Sequence, residues 1–171
     1  MSIFKIAGIC GSLRKDSFNK KLLIRAQQLC FEHINGATIE IIDWSQLPIY
    51  NQVLKYNFSI PGPLKNAIDW ASRVAIGDRG QVFAGKAVAI IGSSPSFRPG
   101  AAGSGRAQFD LRKSLACLDM VTVNKPLIAI PDVGHAFNED GSLINKHIES
   151  SIIKLLQNLV KLGKQLKVDP E

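Results

Sequence analysis

Hydrophobic and polar positions along the chain switch repeatedly between two rhythms. Residues 3–10 (IFKIAGIC) are a short, mostly apolar run, the pattern of a strand buried on both faces. A polar, glycine-led loop follows. Apolar residues then recur at helical spacing, Leu22, Leu23, Ala26, Leu29 and Cys30, which predicts a helix with one buried stripe. Asn35-Gly36 is a helix stop, and residues 38–43 (TIEIID) predict a second strand ending in Asp43. A loop leads to Pro61-Gly62-Pro63 and a helix through Leu64, Ile68 and Ala71; proline suits a first helical turn, where its missing N–H is not needed. The strand-like KAVAIIGSS (86–94) precedes a glycine-rich loop and a helix carrying Ala107, Leu111, Leu115 and Leu118. MVTVNKPLIAI (120–130) predicts the last strand, and Ile148, Ile152, Leu155, Leu156, Leu159 and Leu162 mark one face of a C-terminal helix.

Strands alternating with helices imply parallel βαβ units and a doubly wound α/β sheet. Ligands of such sheets bind beyond the carboxyl ends of the strands. Three segments fall there: residues 11–19, the loop before Pro61, and residues 92–105. No internal repeat interrupts the pattern, and 171 residues suit one domain over 1–171.

Composition narrows the class. Hydrophobic residues are 46% and charged residues 20%, a packed globular balance rather than a disordered one. No apolar run reaches the roughly 18 residues of a membrane span, and MSIFKIAGICGS lacks the pattern of a signal peptide; a cytoplasmic location is expected. Cys10, Cys30 and Cys117 are odd in number and far apart, which argues against a disulfide framework or a zinc site and for small buried hydrophobes. Lys and Arg number 21 against 14 acids, a net +7. The excess is scattered, and Lys154, Lys161, Lys164 and Lys167 fit a solvated helix face. No RNA-binding motif or zinc finger accompanies it, so no nucleic-acid partner is expected. The charge favours arrival of a phosphorylated dinucleotide.

The loop Gly11-Ser12-Leu13-Arg14-Lys15-Asp16-Ser17-Phe18-Asn19 carries the strongest chemical signal. Ser12, Ser17 and Asn19 place hydroxyl and amide groups at a helix N-terminus, whose free N–H groups and dipole favour an anion. Arg14 adds a planar donor suited to phosphate; the plain alternative is a helix cap by Ser17 or Asn19. A Walker A loop would need GxxxxGK[ST] and a dinucleotide fold GxGxxG, and neither is present. A cysteine phosphatase would need an arginine where the count from Cys10 lands on Asp16. Asp43, without a glycine fingerprint, reads as a turn or cap residue.

GSLRKDSFN, YNFSIPGPLKNAIDWASR (56–73), GKAVAIIGSS (85–94) and RAQFDLR (106–112) together resemble the NADPH-dependent FMN reductase and quinone reductase family over nearly the whole chain. The resemblance implies a flavodoxin-like fold, bound FMN, and hydride accepted from NADPH or NADH for a quinone or related acceptor. It also implies that Ser12, Leu13, Arg14, Ser17, Phe18 and Asn19 form the FMN phosphate loop. Tyr56 and Asn57 would then lie beside the isoalloxazine, Ser59 would support the turn, and Ser93 would meet the flavin from the next strand end. No protein residue need act as acid or base, because the flavin carries the hydride. For Tyr56 the alternative is loop packing, for Arg106 a surface position at a helix start, and for Trp70 a place in the core or in a subunit interface. A homo-oligomer is expected.

The sequence departs from the family in three places. Relatives carry roughly 25–30 more residues before the YNFS stretch, enough for a helix and the central third strand; here Asn51-Gln52 runs almost directly into Tyr56-Asn57. Leu54-Lys55 replaces the family's Pro-Glu, and the loop after Ser93-Ser94 is lengthened by Pro95, Ser96, Phe97, Arg98 and Pro99. In a sheet ordered 2-1-3-4-5, loss of the third strand predicts four strands, with the fourth sliding beside the first. Tyr56 and Asn57 would hang on a loop and hold flavin less rigidly. The alternative function is therefore a non-catalytic or weakly flavin-binding truncated relative, a splice or gene-model variant.

Overall fold

The computed structural model describes residues 3–47, 59–74, 82–95 and 104–167. The first apolar run forms strand β1 (Phe4–Gly8), which pairs in parallel with β2 (Ala37–Ile41), Phe4 opposite Ala37 and Gly8 opposite Ile41. Helix α1 (Phe18–His33) crosses between them and buries the stripe read from its spacing: Leu22, Leu23, Ala26, Leu29 and Cys30. Gly36 turns the chain at φ +76°, a conformation that costs glycine little. Helix α2 (Gly62–Ser72) buries Ala67 and Ile68.

The strand predicted over 86–94 is divided into β3 (Ala87–Val88) and β4 (Ile91–Ser93), with α3 (Gly105–Cys117) following. Its partner is divided too, into β5 (Val121–Thr122) and β6 (Ile128–Ile130). Pro126 lies in the gap between them, and a proline has no N–H to give a ladder. The facing residues Ala89 and Ile90 therefore fall between β3–β5 and β4–β6, both parallel pairs. The chain ends its described part in α4 (Lys146–Leu166).

The parallel α/β, flavodoxin-like arrangement agrees with the expectation, and among the described residues the strands occupy four positions. The expected closure of the fourth strand onto the first does not occur: the described ladders are β1–β2, β3–β5 and β4–β6. A cavity of about 670 Å³ separates β1 from β3 and β4. Packing explains why the halves stay apart. Helices α1 and α4 lie together beneath both halves, joined by one cluster that includes Leu22, Leu29, Ile39, Ile130, Ile152 and Leu155. Phe4 seats its ring on Gly163 of α4, where any Cβ would collide with it. Arg25 of α1 donates through Nε to Glu149 of α4 at 2.8 Å, and the Leu143 N–H donates to the same carboxylate oxygen at 3.1 Å. Burial pushes the Glu149 carboxyl up, but these hydrogen bonds and one from Lys146 outweigh it and hold the group below the ordinary range.

Two side-chain expectations need correction. Of the two places expected for Trp70, the core is ruled out, since the side chain is 52% exposed on the solvent side of α2. Cys117, at the end of α3, is exposed, whereas Cys30 is buried and Cys10 half-buried. The lysines of α4 are exposed, as expected of a solvated face. Among the described residues no helix is long and apolar enough to cross a membrane, and no group of three or more His, Cys, Asp or Glu could hold a metal ion.

Candidate functional site

The site forms where β1 and β4 end beside the start of α1. Strand β1 delivers the chain to Cys10 and Gly11, and Trp44 at the exit of β2 donates its indole N–H to the Cys10 carbonyl at 3.0 Å. Leu64 of α2 packs 3.1 Å from where a Cβ on Gly11 would stand, so glycine allows α2 to approach the loop. Cys10 donates its thiol to the Ser12 carbonyl at 3.3 Å, and the Arg14 N–H leans on Ser12 Oγ at 3.4 Å. The loop closes on itself through Ser17 N–H to the Arg14 carbonyl at 3.2 Å.

Ser17 is the N-cap of α1, buried, its Oγ accepting from the Lys20 N–H at 3.3 Å. Capping uses an acceptor lone pair and leaves the hydroxyl proton to donate, so cap and anion ligand are compatible roles for one side chain. No acidic residue occupies the first turn of α1. Leu13, Arg14, Lys15 and Asp16 are exposed, and Phe18 is half-buried under the Lys21 ammonium, 5.5 Å from its ring centroid.

Asn19 and Ser93 are joined. Asn19 Oδ1 accepts both the Ser93 backbone N–H at 3.0 Å and the Ser93 hydroxyl at 2.8 Å. One amide oxygen thus couples the first turn of α1 to the end of β4, and the Asn19 NH₂ keeps its donors. Behind Ser93, a Cβ on Gly92 would stand 2.5 Å from Ser104 Oγ, which brings the start of α3 against the strand end. Gln108 spans the same region, donating to the Ile128 carbonyl at 2.6 Å.

Ser12, Leu13, Arg14, Ser17, Phe18, Asn19 and Ser93 therefore surround the carboxyl ends of β1 and β4. Ser59 stands elsewhere in the network: its hydroxyl donates to Asp110 of α3, which together with Lys113 keeps that carboxyl below its usual range, the Lys113 contact being the larger effect. Tyr56 and Asn57 lie outside the described residues, as does most of the loop lengthened by Ser96, Phe97, Arg98 and Pro99. Asp43 is a turn residue, accepting from the Ser45 N–H at 2.9 Å, a contact that lowers its carboxyl. Sequence reasoning missed Trp44 and the Asn19–Ser93 link. An indole just past a strand end was a visible signal for the first; the second pairs residues 74 apart and had none.

A helix N-terminus bearing hydroxyls, an amide and an exposed guanidinium stands at the strand ends of a parallel, flavodoxin-like fold, where sheets of this kind bind their ligands. The donor set fits the phosphate end of FMN: it is made of neutral and cationic donors. The chain matches the NADPH-dependent FMN reductase family over residues 4–55 and 55–135, and it belongs to that family. It is 34% identical over 195 aligned positions to an NAD(P)H:quinone oxidoreductase of Solanum tuberosum, covering 96% of this chain and 95% of the relative. It is 35% identical to an NAD(P)H-dependent FMN reductase of Pseudomonas aeruginosa over 182 positions, with 91% and 92% covered. Among solved structures, FerB, a flavoenzyme NAD(P)H:(acceptor) oxidoreductase from Paracoccus denitrificans, superimposes with a TM-score of 0.77 at 26% identity, covering 95% of this chain and 98% of that one. The two segments of the family match meet at Lys55.

Proposed function

We propose that this chain is an FMN-dependent NAD(P)H oxidoreductase that reduces quinones or related small acceptors, acting as a single cytoplasmic domain over residues 1–171. The observation that carries this reading is the donor-rich loop at the head of α1, tied by Asn19 to Ser93 at the end of β4. Ser12, Arg14, Ser17 and the Asn19 amide hold the phosphate; Leu13 and Phe18 shape the loop around it; Ser93 is fixed as the contact on the flavin side. When bound, FMN supplies the redox chemistry, taking hydride from NADPH or NADH and passing it to the acceptor. Tyr56 and Asn57 complete the ring side, and Ser59, held on Asp110, anchors the turn that follows them. The half-exposed Trp70 and the exposed Val74 at the end of α2 support a homo-oligomer, since apolar surface of this kind marks contact sites. No nucleic-acid role follows from the dispersed positive charge.

The test combines titration of the purified chain with FMN, followed by quenching of flavin fluorescence, and NADPH-dependent reduction of a benzoquinone with and without added FMN. Saturable binding and quinone-dependent NADPH oxidation are the expected results; no FMN binding at about 1 mM, an interaction below roughly 4 kcal/mol, overturns the proposal. The open cavity beside β1 favours a second reading, a relative with weakened flavin binding. Loss of two or three ring contacts at about 1 kcal/mol each lowers affinity roughly thirty- to a hundredfold, and activity would then depend on added FMN.

A further inference from the structure

The cavity between β1 and β3–β4 has the chemistry of a vacant strand position. In β1, the Phe4 N–H donates to Gly36 O on β2's side at 2.7 Å, and Gly8 O accepts from the Ile42 N–H at 2.9 Å. Backbone groups of successive strand residues point to opposite sides, so Phe4, Ile6 and Gly8 address β2. Lys5, Ala7 and Ile9 direct their N–H and C=O groups into the cavity. Across it, Lys86 O accepts from the Val121 N–H at 2.9 Å, Val88 O from the Val123 N–H at 2.8 Å, and the Ser94 N–H donates to Ile130 O at 2.9 Å. The same alternation turns Ala87, Ala89 and Ile91 toward the cavity. Ser93 follows them, its N–H already taken by Asn19.

Two sheet edges thus face each other with matched alternation. Both strands end at the α1 loop, joined there by Asn19 and Ser93, so they run in the same direction. The remaining walls are mostly apolar, with Leu64, Ile68, Leu111 and Leu155 standing beside the polar side chains of Ser104 and Gln108. A small apolar molecule would cover those side chains but leave the backbone groups of both edges unpaired, and an unpaired buried polar group is costly. An extended peptide satisfies both. Relatives align over 195 positions against the 171 residues of this chain, so they hold residues that this chain does not supply.

We infer that the cavity is a docking site for an extended, apolar segment of a different protein, not a second copy of this chain, added as a central strand parallel to β1 and hydrogen-bonded on both its edges. Such a segment would span about five residues, the usual strand length, and be near-continuously apolar, as strands buried on both faces are. This is strand addition between two edges rather than onto one.

The experiment uses the full chain and a capped synthetic peptide, Lys-Lys-Val-Ile-Val-Val-Thr-Lys-Lys. Its lysines keep it soluble, and the +7 charge of the protein opposes non-specific attraction. Calorimetry should give one peptide per chain. Amide hydrogen exchange should slow at least roughly tenfold at Lys5, Ala7, Ile9, Ala87, Ala89 and Ile91, with Phe4, Ile6 and Gly8 unchanged. A second peptide with proline at the central valine keeps the apolar character but loses an N–H and should bind at least about tenfold more weakly. Equal binding of the two peptides would show an apolar cavity without strand pairing, and protection without the alternation would do the same; either result overturns the inference. So does absence of binding at about 1 mM peptide. A dimer by light scattering, with these amides already protected before peptide is added, would assign the site to a second copy and also overturn it.

Discussion

Asn19 offers the sharpest test of the site, because its two functions can be separated by two substitutions. Asn19→Ala removes the acceptor for both the Ser93 N–H, at 3.0 Å, and the Ser93 hydroxyl, at 2.8 Å. Both partners are only partly buried, so water recovers some of the loss; two neutral hydrogen bonds under those conditions amount to about 1–2 kcal/mol. For a chain of this size that lowers the melting temperature by about 2–8 °C, at 2–4 °C per kcal/mol. Asn19→Asp behaves differently. It keeps an oxygen in the same place to accept from Ser93, and it adds a negative charge to the first turn of α1, where the helix dipole favours one. Stability should therefore match wild type within about 0.5 kcal/mol. The same charge now stands beside the phosphate loop. At an effective dielectric constant of about 20, two like unit charges still repel by about 1.5 kcal/mol at 10 Å, so FMN affinity should fall at least about tenfold. Thermal melts and FMN fluorescence titrations on both variants give four numbers. An Asn19→Asp protein that binds FMN as wild type does would refute the placement of the phosphate; one that unfolds like Asn19→Ala would refute the Ser93 link.

Arg14 is exposed and supplies no packing, so Arg14→Ala should leave the melting temperature within a degree or two while weakening FMN about tenfold, the value of one charge-assisted phosphate contact. Ser17→Ala should do both kinds of damage, about 1 kcal/mol from the lost cap and a similar loss in FMN binding, read from urea melts and flavin titration. Glu149 has a folded-state carboxyl held below its unfolded value, so its contribution to stability is fully present above the unfolded value of about 4.3 and drains away as the pH falls through the folded one; Glu149→Gln should flatten the pH dependence of urea melts in the acid range. Alkylation with iodoacetamide followed by mass spectrometry should modify Cys117 in the native protein and spare Cys30, whose thiol burial pushes up, until denaturant is added.

Local periodicity made much of this fold readable. The stripe of α1 from Leu22 to Cys30 is buried residue for residue, and Ile152, Leu155, Leu156 and Leu159 do the same for α4, because a helix needs only its own spacing to declare a face. The predicted stripe of α3 was a subtler case. Leu115 is buried, but Ala107 and Leu111 remain half-buried at the wall of the cavity: their pattern is that of a helix facing a strand, and none of the described residues forms one there. The broken strands escaped prediction because KAVAIIGSS contains no breaker of its own; the interruption is imposed by Pro126 on the neighbouring strand. Of the candidate site, the cluster of hydroxyls and a guanidinium ahead of a helix was legible, and the structure places Ser12, Arg14, Ser17 and Asn19 together at the head of α1. Ser59's attachment to Asp110 was not legible, since it depends on how α2 and α3 meet in space.

Trp44 gives the molecule a built-in optical reporter. The chain has two tryptophans, and their surroundings differ sharply: Trp44 is 7% exposed and bonded to the carbonyl of Cys10, whereas Trp70 is 52% exposed. Their emission should separate accordingly, a blue component shielded from acrylamide and a redder one open to it. Because the indole of Trp44 grips the residue just before the candidate phosphate loop, the shielded component follows the state of that loop without any label. A Trp70→Phe protein would isolate it, so that loosening or tightening at Cys10 could be followed in real time during mixing with flavin or with denaturant.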